Sequence, residues 1–239
     1  MSDILRSKIF TAHPTVTHGI STKTFGTMKK DDGSIHHANI LKFGKLSGIN
    51  TLTICMDQKH TGNVMVVEND RELVVPNVDG LVTKNKKLSL GVVTADCLPI
   101  LMYDPRKDVI GIAHAGSKGL LKNIIGNTIK AFVQTYNTDP KDLIVSIGPS
   151  IEQKCYIVGQ DLIKLYKSAF PHYTSVYIEG NGTFFLDLRS VAIQDLRNEG
   201  VLKENIEVSP LCTKCNPESL YSYRAGDTMG RFISIIGFT

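Results

Sequence analysis

Three closely spaced apolar segments near the middle of the chain constrain the fold more than any other feature of the sequence. They read LGVVTA (residues 90–95), PILMYD (residues 99–104) and VIGIAHAG (residues 109–116), and the turn DPRKD separates the second from the third. Short β-branched apolar runs bounded by turn residues are typical of buried strands. Because Pro99 cannot donate to a sheet ladder, we also expect a break or a sheet edge near Cys97.

The rest of the chain mixes strands, hairpins and helices. Strands are predicted for TLTICM (residues 51–56), NVMVVE (63–68), DLIVSIGPS (142–150) and RFISIIGF (231–238), a turn for Asp79-Gly80, and a hairpin for VYIEGNGTFFLDL (176–188). A stripe of Leu121, Ile125, Ile129, Phe132 and Tyr136 predicts a helix after Gly119, and two more helices are predicted for residues 161–170 and 188–200, with Gly200 as a C-cap. This mixture favours an α+β layered domain over strict βαβ alternation.

Composition excludes several classes of function. The 239-residue chain is 42% hydrophobic and 21% charged, as in an ordinary globular protein, and its net charge is only +4. The basic run Lys84-Asn85-Lys86-Lys87 has no interleaved aromatic residues, so we expect no nucleic-acid partner. The chain shows no signal-peptide pattern and no apolar stretch of ~20 residues, and its five cysteines are an odd number. We therefore expect no membrane partner, a cytoplasmic location and free thiols.

One thiol and two imidazoles share a similar local setting. His60, Cys97 and His114 each occupy a strand end or a turn, flanked by small residues that let a ligand approach closely. Such a donor set suits Zn²⁺, with the fourth tetrahedral position open to water or substrate. Cys97 and His114 also suit the nucleophile and base of a Cys–His hydrolase, and a free cysteine is commonly a buried core thiol. The extra imidazole of His60 favours the metal, but the residues alone leave these interpretations open.

The other cysteines and histidines give weaker signals. Cys212 and Cys215 form a CxxC motif, but no second pair completes a structural zinc site, so we interpret them as two free thiols in a turn. The histidines in polar stretches are interpreted as surface residues: His13, His18, His36, His37 and His172. The sequence contains no GxGxxG and no GxxxxGK[ST] motif, so dinucleotide and P-loop chemistry have no support.

Four ordered motifs resemble those of one protein family. They are TADCLPILMYDP (residues 94–105), IGIAHAG (110–116), IGPSIEQKCYIVG (147–159) and CTKCNPESLYSYRAGDTMGR (212–231). They are similar to the YfiH-like laccase-domain family, whose members were first called multicopper polyphenol oxidoreductases and later described as zinc-dependent purine nucleoside enzymes. The resemblance implies one layered α/β/β/α-type domain with mixed sheets over residues 1–239. It also implies that His60, Cys97 and His114 bind one zinc ion, with copper as the alternative metal.

The resemblance implies an activity as well. The family is described as carrying out phosphorolysis of adenosine, inosine, guanosine and methylthioadenosine, and deamination of adenosine, so purine nucleosides and phosphate are the expected partners. His60, Cys97 and His114 would then be catalytic residues. The residues expected to bind substrate are the loop amides of Gly116 and Gly148, the cations Lys118, Arg224 and Arg231, and the ring of Tyr156.

The chain departs from the usual family pattern beside the second histidine. The family usually has His-Ala-Gly-Trp-Arg-Gly, whereas this chain has Ser117 and Lys118 in place of the tryptophan and arginine. Lysine is a point charge where arginine offers a bidentate fork, so we expect an intact metal site with altered phosphate binding. The alternatives are a catalytically weakened metal-binding or partner-binding member, and a copper-dependent polyphenol oxidase. The oxidase is less favoured because seven histidines are too few for a trinuclear copper centre.

Overall fold

The computed structural model describes residues 4–239, so residues 1–3 of the predicted domain lie outside the described residues. In chain order the strands are β1 (Ile4–Leu5), β2 (Val16–Ser21), β3 (Leu52–Met56), β4 (Val64–Val66), β5 (Val74–Val75), β6 (Gly80–Thr83), β7 (Leu88–Thr94), β8 (Leu98–Asp104), β9 (Val109–Ala115), β10 (Ile144–Ile147), β11 (Ile157–Val158), β12 (Tyr177–Gly180), β13 (Thr183–Leu186), β14 (Ile206–Val208) and β15 (Phe232–Phe238). The α-helices are α1 (His37–Leu46), α2 (Ser117–Leu121), α3 (Ile124–Tyr136), α4 (Gln160–Ala169) and α5 (Leu188–Asn198).

Two six-stranded mixed sheets form the centre of the fold. The first has the order β1-β2-β15-β7-β3-β5, and the second has the order β14-β10-β8-β9-β6-β4. The apolar runs of β7, β8 and β9 lie in the interior of these sheets, which is why their residues are buried on both faces. A smaller sheet, β11-β13-β12, contains the predicted hairpin, whose tip residues Asn181 and Gly182 both have positive φ.

The layers are helix, sheet, sheet, helix. Leu90 and Val92 of the first sheet pack against Leu101 and Ile112 of the second, forming the core between the sheets. The outer face of the first sheet is covered by α1, and the outer face of the second by α3, α4 and α5. The structure therefore confirms the α+β class and the α/β/β/α layering.

The segment after β9 is not one continuous helix. The predicted apolar stripe is split between α2 and α3, because Asn123 adopts a left-handed backbone conformation with φ of 57°. The end of the stripe is as predicted, since α3 ends at Tyr136 and Asn137 caps it, again with positive φ. The short α2 begins at Ser117, three residues after His114, and changes the direction of the chain there.

One further expectation is confirmed and another is wrong. The chain breaks between β7 and β8, as expected near Cys97. β8 lies inside its sheet, and Pro99 fits there because it lies opposite Gly148, beyond the last residue of β10. His18 is not a surface residue: it lies in β2, is 4% exposed, and its Nε2 accepts the N–H of Ser7 at 2.7 Å. No helix among residues 4–239 is long and apolar enough to cross a membrane.

Candidate metal centre

The pairing of β8 with β9 brings the thiol and the second imidazole together. Leu98 pairs with Ala115 and Pro99 with His114, so Cys97, directly before β8, lies beside the end of β9. Asp96 has φ of +88°, an unfavourable conformation for a residue with a side chain, and it turns the chain sharply between β7 and Cys97. Strand register and this turn together place two of the predicted ligands at the same end of the β8–β9 pair.

A buried carboxylate places the first imidazole. Asp79 is fully buried at the start of β6 and accepts the backbone N–H groups of Lys59, His60 and Thr61 at 3.2, 3.1 and 2.7 Å. The Thr61 hydroxyl donates to the same carboxylate at 2.7 Å. His60 itself has φ of 55°, so the loop needs this anchoring to hold its conformation. The predicted turn at Asp79-Gly80 is therefore wrong, because Gly80 begins a strand and Asp79 organises the loop opposite.

The three predicted ligands converge. One donor atom each from His60, Cys97 and His114 lies within 4.8 Å of the other two. The Cys97 Sγ is 3.9 Å from the His60 Nε2, and the two imidazole rings meet edge to face with their centroids 4.7 Å apart. The His114 Nδ1 is 2.8 Å from the Asp79 Oδ1. With its Nδ1–H donated to a carboxylate, His114 turns its Nε2 towards the other two donors.

The electrostatics favour an ionised thiol. Burial alone would raise the pKa of the Cys97 thiol, but His114 and His60 together lower it to about 6. Burial alone would lower the pKa of His114, whereas the Cys97 thiolate and Asp79 raise it to about 9. Burial would also raise the pKa of Asp79, but the hydrogen bonds from His114 and Thr61 hold it well below its ordinary range. A thiolate is thus available at neutral pH, as a metal ligand or a nucleophile requires.

The donor set fits a metal better than it fits a catalytic dyad. Cys97, His114 and Asp79 stand in the order of a Cys–His–Asp triad, which is also the order of a carboxylate–histidine–metal arrangement. The imidazole of His60 favours the metal, because a dyad does not need a second imidazole nitrogen converging on the same point. Two nitrogens and one thiolate are ligands for Zn²⁺ or copper, and they leave a coordination position open.

A cavity of about 350 Å³ opens beside the three ligands. Of the substrate-binding residues predicted from the sequence, Lys118, Tyr156, Arg224 and Arg231 line it. Gly116 lies against the ligands, since a Cβ built there would be 2.7 Å from the Cys97 Sγ. Gly148 is placed differently: it does not line this cavity, and its N–H donates to the Pro99 carbonyl at 2.9 Å.

The cavity wall also contains residues that the sequence did not single out. Lys29 lines it beside Arg231, and burial together with the like charge of Arg231 lowers the pKa of the Lys29 ammonium. Gln58 lines it too, fixed by a pair of hydrogen bonds to the backbone of Val93. Asp79 had one detectable sequence signal: it is an acidic residue enclosed by apolar residues, which is unusual for a solvated turn.

The carboxylates of Asp96 and Glu152, both in the family motifs, are engaged in contacts with other protein groups. Asp96 lines the cavity, but its two oxygens accept from the Thr213 hydroxyl at 2.6 Å and the Arg224 N–H at 2.7 Å. It therefore holds the loop of Thr213 and Arg224 against the strand end. Glu152 is not part of the cavity wall and instead pairs with Lys154 at 3.1 Å.

Comparison with known proteins places this site in a family. Residues 11–239 match the family described as multi-copper polyphenol oxidoreductase laccase. The chain is 35% identical over 195 residues to the purine nucleoside phosphorylase YlmD of Bacillus subtilis, covering 76% of this chain and 69% of YlmD. It is 30% identical over 224 residues to the purine nucleoside phosphorylase Rv2149c of Mycobacterium tuberculosis, covering 91% and 87%.

A solved structure agrees with the sequence comparisons. The crystal structure of the hypothetical protein YfiH from Bacillus licheniformis matches with a TM-score of 0.86 and 27% identity, covering 100% of this chain and 97% of that one. The ligands and the cavity residues all fall within the matched range of residues 11–239. The chain is accordingly a member of the YfiH-like laccase-domain family.

Proposed function

We propose that this protein is a zinc-dependent purine nucleoside phosphorylase, with purine nucleosides and inorganic phosphate as its substrates. The observation that carries the proposal is one cavity that combines three converging metal ligands, a cluster of cations and an aromatic ring. A phosphorolytic site must hold an anion next to a nucleoside. Here the cations would bind the anion and the aromatic ring would contact the nucleoside. Relatives named purine nucleoside phosphorylase support the same reaction class.

The cations form the anion-binding part of the proposed site. Lys29, Lys118, Arg224 and Arg231 all line the cavity. Arg224 is held by a hydrogen bond from its Nη1 to the Ile157 carbonyl at 2.6 Å, so its guanidinium is oriented before any ligand arrives. Within residues 4–239, none of the four cations belongs to an ion pair. They therefore repel one another, and a bound phosphate would relieve that repulsion. Lys118 lies nearest to the ligands in sequence, four residues after His114.

Tyr156 provides the surface for the purine. Its ring lies under the Arg224 guanidinium, whose central carbon is 4.7 Å from the ring centroid, and its hydroxyl donates to the Ser117 Oγ at 3.1 Å. With one face against Arg224 and its hydroxyl bonded to Ser117, the ring is held in place as a platform for a flat base. The nucleoside would thus stack near Tyr156 with its ribose directed towards the cations.

Each group then has a role in phosphorolysis. The cations hold phosphate so that one of its oxygens forms the new bond to C1′ of the ribose as the C1′–N9 bond breaks. The electron pair of the broken bond passes to the purine, which takes up a proton and leaves as the free base. Zn²⁺, when bound by His60, Cys97 and His114, would supply Lewis acidity at this site. Asp79 keeps both imidazoles oriented, and Asp96 keeps Thr213 and Arg224 in place.

Deamination of adenosine is proposed as a second activity of the same pocket. It would need the same three ligands but no phosphate. The His-x-Glu motif of base deaminases, in which glutamate moves the proton, is missing from the sequence around His60 and His114. Phosphorolysis is therefore the favoured reaction. A polyphenol oxidase is less favoured, because among the described residues no histidine other than His60 and His114 belongs to a candidate metal group.

The test is a nucleoside panel assayed by chromatography. Zinc-loaded protein is incubated with adenosine, inosine and methylthioadenosine, each with and without phosphate, and Cys97→Ala is the inactive control. We expect free base and ribose 1-phosphate only when phosphate is present. Inosine formed from adenosine without phosphate would show deamination instead. If zinc-loaded protein consumes none of the three nucleosides, the enzyme proposal fails and a metal-binding or partner-binding role replaces it.

A further inference from the structure

Three thiols form a second cluster of donor atoms. The Sγ atoms of Cys155, Cys212 and Cys215 lie within 4.8 Å of one another, and those of Cys155 and Cys215 are 3.3 Å apart. The sequence interpretation of Cys212 and Cys215 as two isolated thiols misses Cys155, which belongs to a different segment. A β-bridge between Ser150 and Cys212 aligns the two segments and brings the third thiol to the CxxC turn.

The buried thiol of the cluster already has a polar partner. Cys212 is 2% exposed, and its Sγ accepts the backbone N–H of Glu152 at 3.4 Å. An N–H directed at the sulfur favours a thiolate, which is the form of cysteine that binds a metal.

The spacing of the sulfurs suits a tetrahedral ion. With Zn–S bonds near 2.3 Å, tetrahedral geometry puts neighbouring sulfurs about 3.8 Å apart. The Cys155 and Cys215 sulfurs are 3.3 Å apart and all three sulfurs lie within 4.8 Å of one another, so the required spacing falls between these two values. Among residues 4–239 no fourth His, Cys, Asp or Glu joins this group. Cys215 is exposed, so solvent reaches the cluster.

We propose that Cys155, Cys212 and Cys215 bind a second Zn²⁺ ion through three thiolates, with water in the fourth position. The remaining protons of the three thiols pass to solvent as the Zn–S bonds form, and no electrons are transferred. This site is separate from the ligand set of His60, Cys97 and His114, and it does not depend on the proposed phosphorylase activity.

The position of the cluster gives the second ion a structural role. Cys155 directly precedes Tyr156, which lines the cavity, and Cys212 directly precedes Thr213, whose hydroxyl donates to Asp96. An ion bound to both segments would tie Tyr156 and Thr213 to each other behind the cavity wall. Zinc at this site should therefore stabilise the folded chain and hold the cavity wall in place.

The experiment counts zinc in the full chain under reducing conditions. Protein is stripped with a chelator, reloaded with excess Zn²⁺, freed of unbound metal and analysed by elemental mass spectrometry. We expect two zinc ions per chain for the wild type, one for Cys97→Ala, one for Cys215→Ser, and none for the double variant. The exposed Cys215 is chosen because its replacement leaves the core intact, and Cys155→Ser serves as a second variant. Cys55→Ala, which removes a buried thiol outside both clusters, should retain two.

Cobalt identifies the ligands independently of the count. Co²⁺ bound to the Cys97→Ala variant should give strong thiolate-to-metal charge-transfer absorption, and adding Cys215→Ser should abolish it. The proposal is overturned if reduced Cys97→Ala binds neither Zn²⁺ nor Co²⁺. It is also overturned if mass spectrometry finds a Cys155–Cys215 disulfide in the wild type, seen as the loss of two hydrogens, and reducing that disulfide restores no metal binding. Failure of the nucleoside assay would leave both of these readouts unchanged.

Discussion

Replacing Asp79 with asparagine tests whether this buried carboxylate controls the metal centre. In the wild type its Oδ1 accepts from the His114 Nδ1 and the His60 N–H. Its Oδ2 accepts the N–H groups of Lys59 and Thr61 and the Thr61 hydroxyl. An asparagine amide keeps the size of the side chain, but one of its two ends donates instead of accepting. In either orientation, at least two N–H donors then face an NH₂ group.

The size of the effect follows from these contacts. A buried donor left without its acceptor costs about 1–3 kcal/mol, so two such donors should lower the free energy of unfolding by about 2–6 kcal/mol. Loss of the carboxylate that orients a metal-binding histidine weakens metal binding roughly 10- to 100-fold. Because Asp79 supports both the loop of His60 and the ring of His114, we expect zinc affinity to fall at least about 10-fold.

The assay measures zinc affinity by competition with a chromophoric chelator, together with urea-induced unfolding of the metal-free protein. Asp104→Asn is the matched control. Asp104 is also fully buried at a strand end and accepts the N–H groups of Arg106 and Lys107, but it is not part of the centre. It should leave zinc affinity unchanged. Folded Asp79→Asn protein that binds zinc as tightly as the wild type would refute the assigned role of Asp79.

Three further outcomes are expected. Gly116→Ala should lower zinc affinity at least 10-fold in the same competition assay, because its Cβ would lie 2.7 Å from the Cys97 Sγ. Gly159→Ala is the control and should leave zinc affinity unchanged, because a Cβ there has no atom within 4 Å. Lys118→Arg should raise kcat/KM for phosphate severalfold if this side chain contacts the anion, since arginine binds it with a bidentate fork; an unchanged value places Lys118 elsewhere. Burial and Arg6 lower the pKa of His18 from 6.5 to about 4, so the unfolded chain takes up a proton at a higher pH than the folded chain does. The free energy of unfolding should therefore fall as the pH drops from about 6.5 to about 4, by up to about 3 kcal/mol. Urea unfolding across this range should show a flatter pH dependence for His18→Gln; equal slopes would contradict the assignment.

Much of the centre is encoded locally. The apolar segments predict β7, β8 and β9 because buried strands need β-branched, uninterrupted sequences, and small residues mark where those strands end. The local sequence around His60, Cys97 and His114 therefore singles out three candidate ligands, and the resemblance to the family assigns them to one metal. The Gly-Asn-Gly tip and the end of α3 are likewise fixed by residues that favour positive φ.

Other features depend on which segments become neighbours in space. The sequence predicted one helix where Asn123 divides two, because an apolar stripe continues in phase across a single left-handed residue. It placed His18 on the surface, because a polar flank does not reveal that β2 lies between β1 and β15. The His18 error is one of environment: the polar flank was correctly described, but β15, one of the strands beside β2, is distant in sequence.

What the sequence by itself determined is the central strands and a set of candidate donor atoms at their ends. Only the tertiary structure decided how these are supported. The register that pairs Gly80 with Ala113 places Asp79 beside His114, and the bridge at Cys212 brings Cys155 to the CxxC turn. Lys29 joins the cavity wall from a loop whose charges look merely solvated in the sequence. The physical reason is that side-chain periodicity records burial along one strand, whereas contacts between strands depend on register and sheet order, which no single segment encodes.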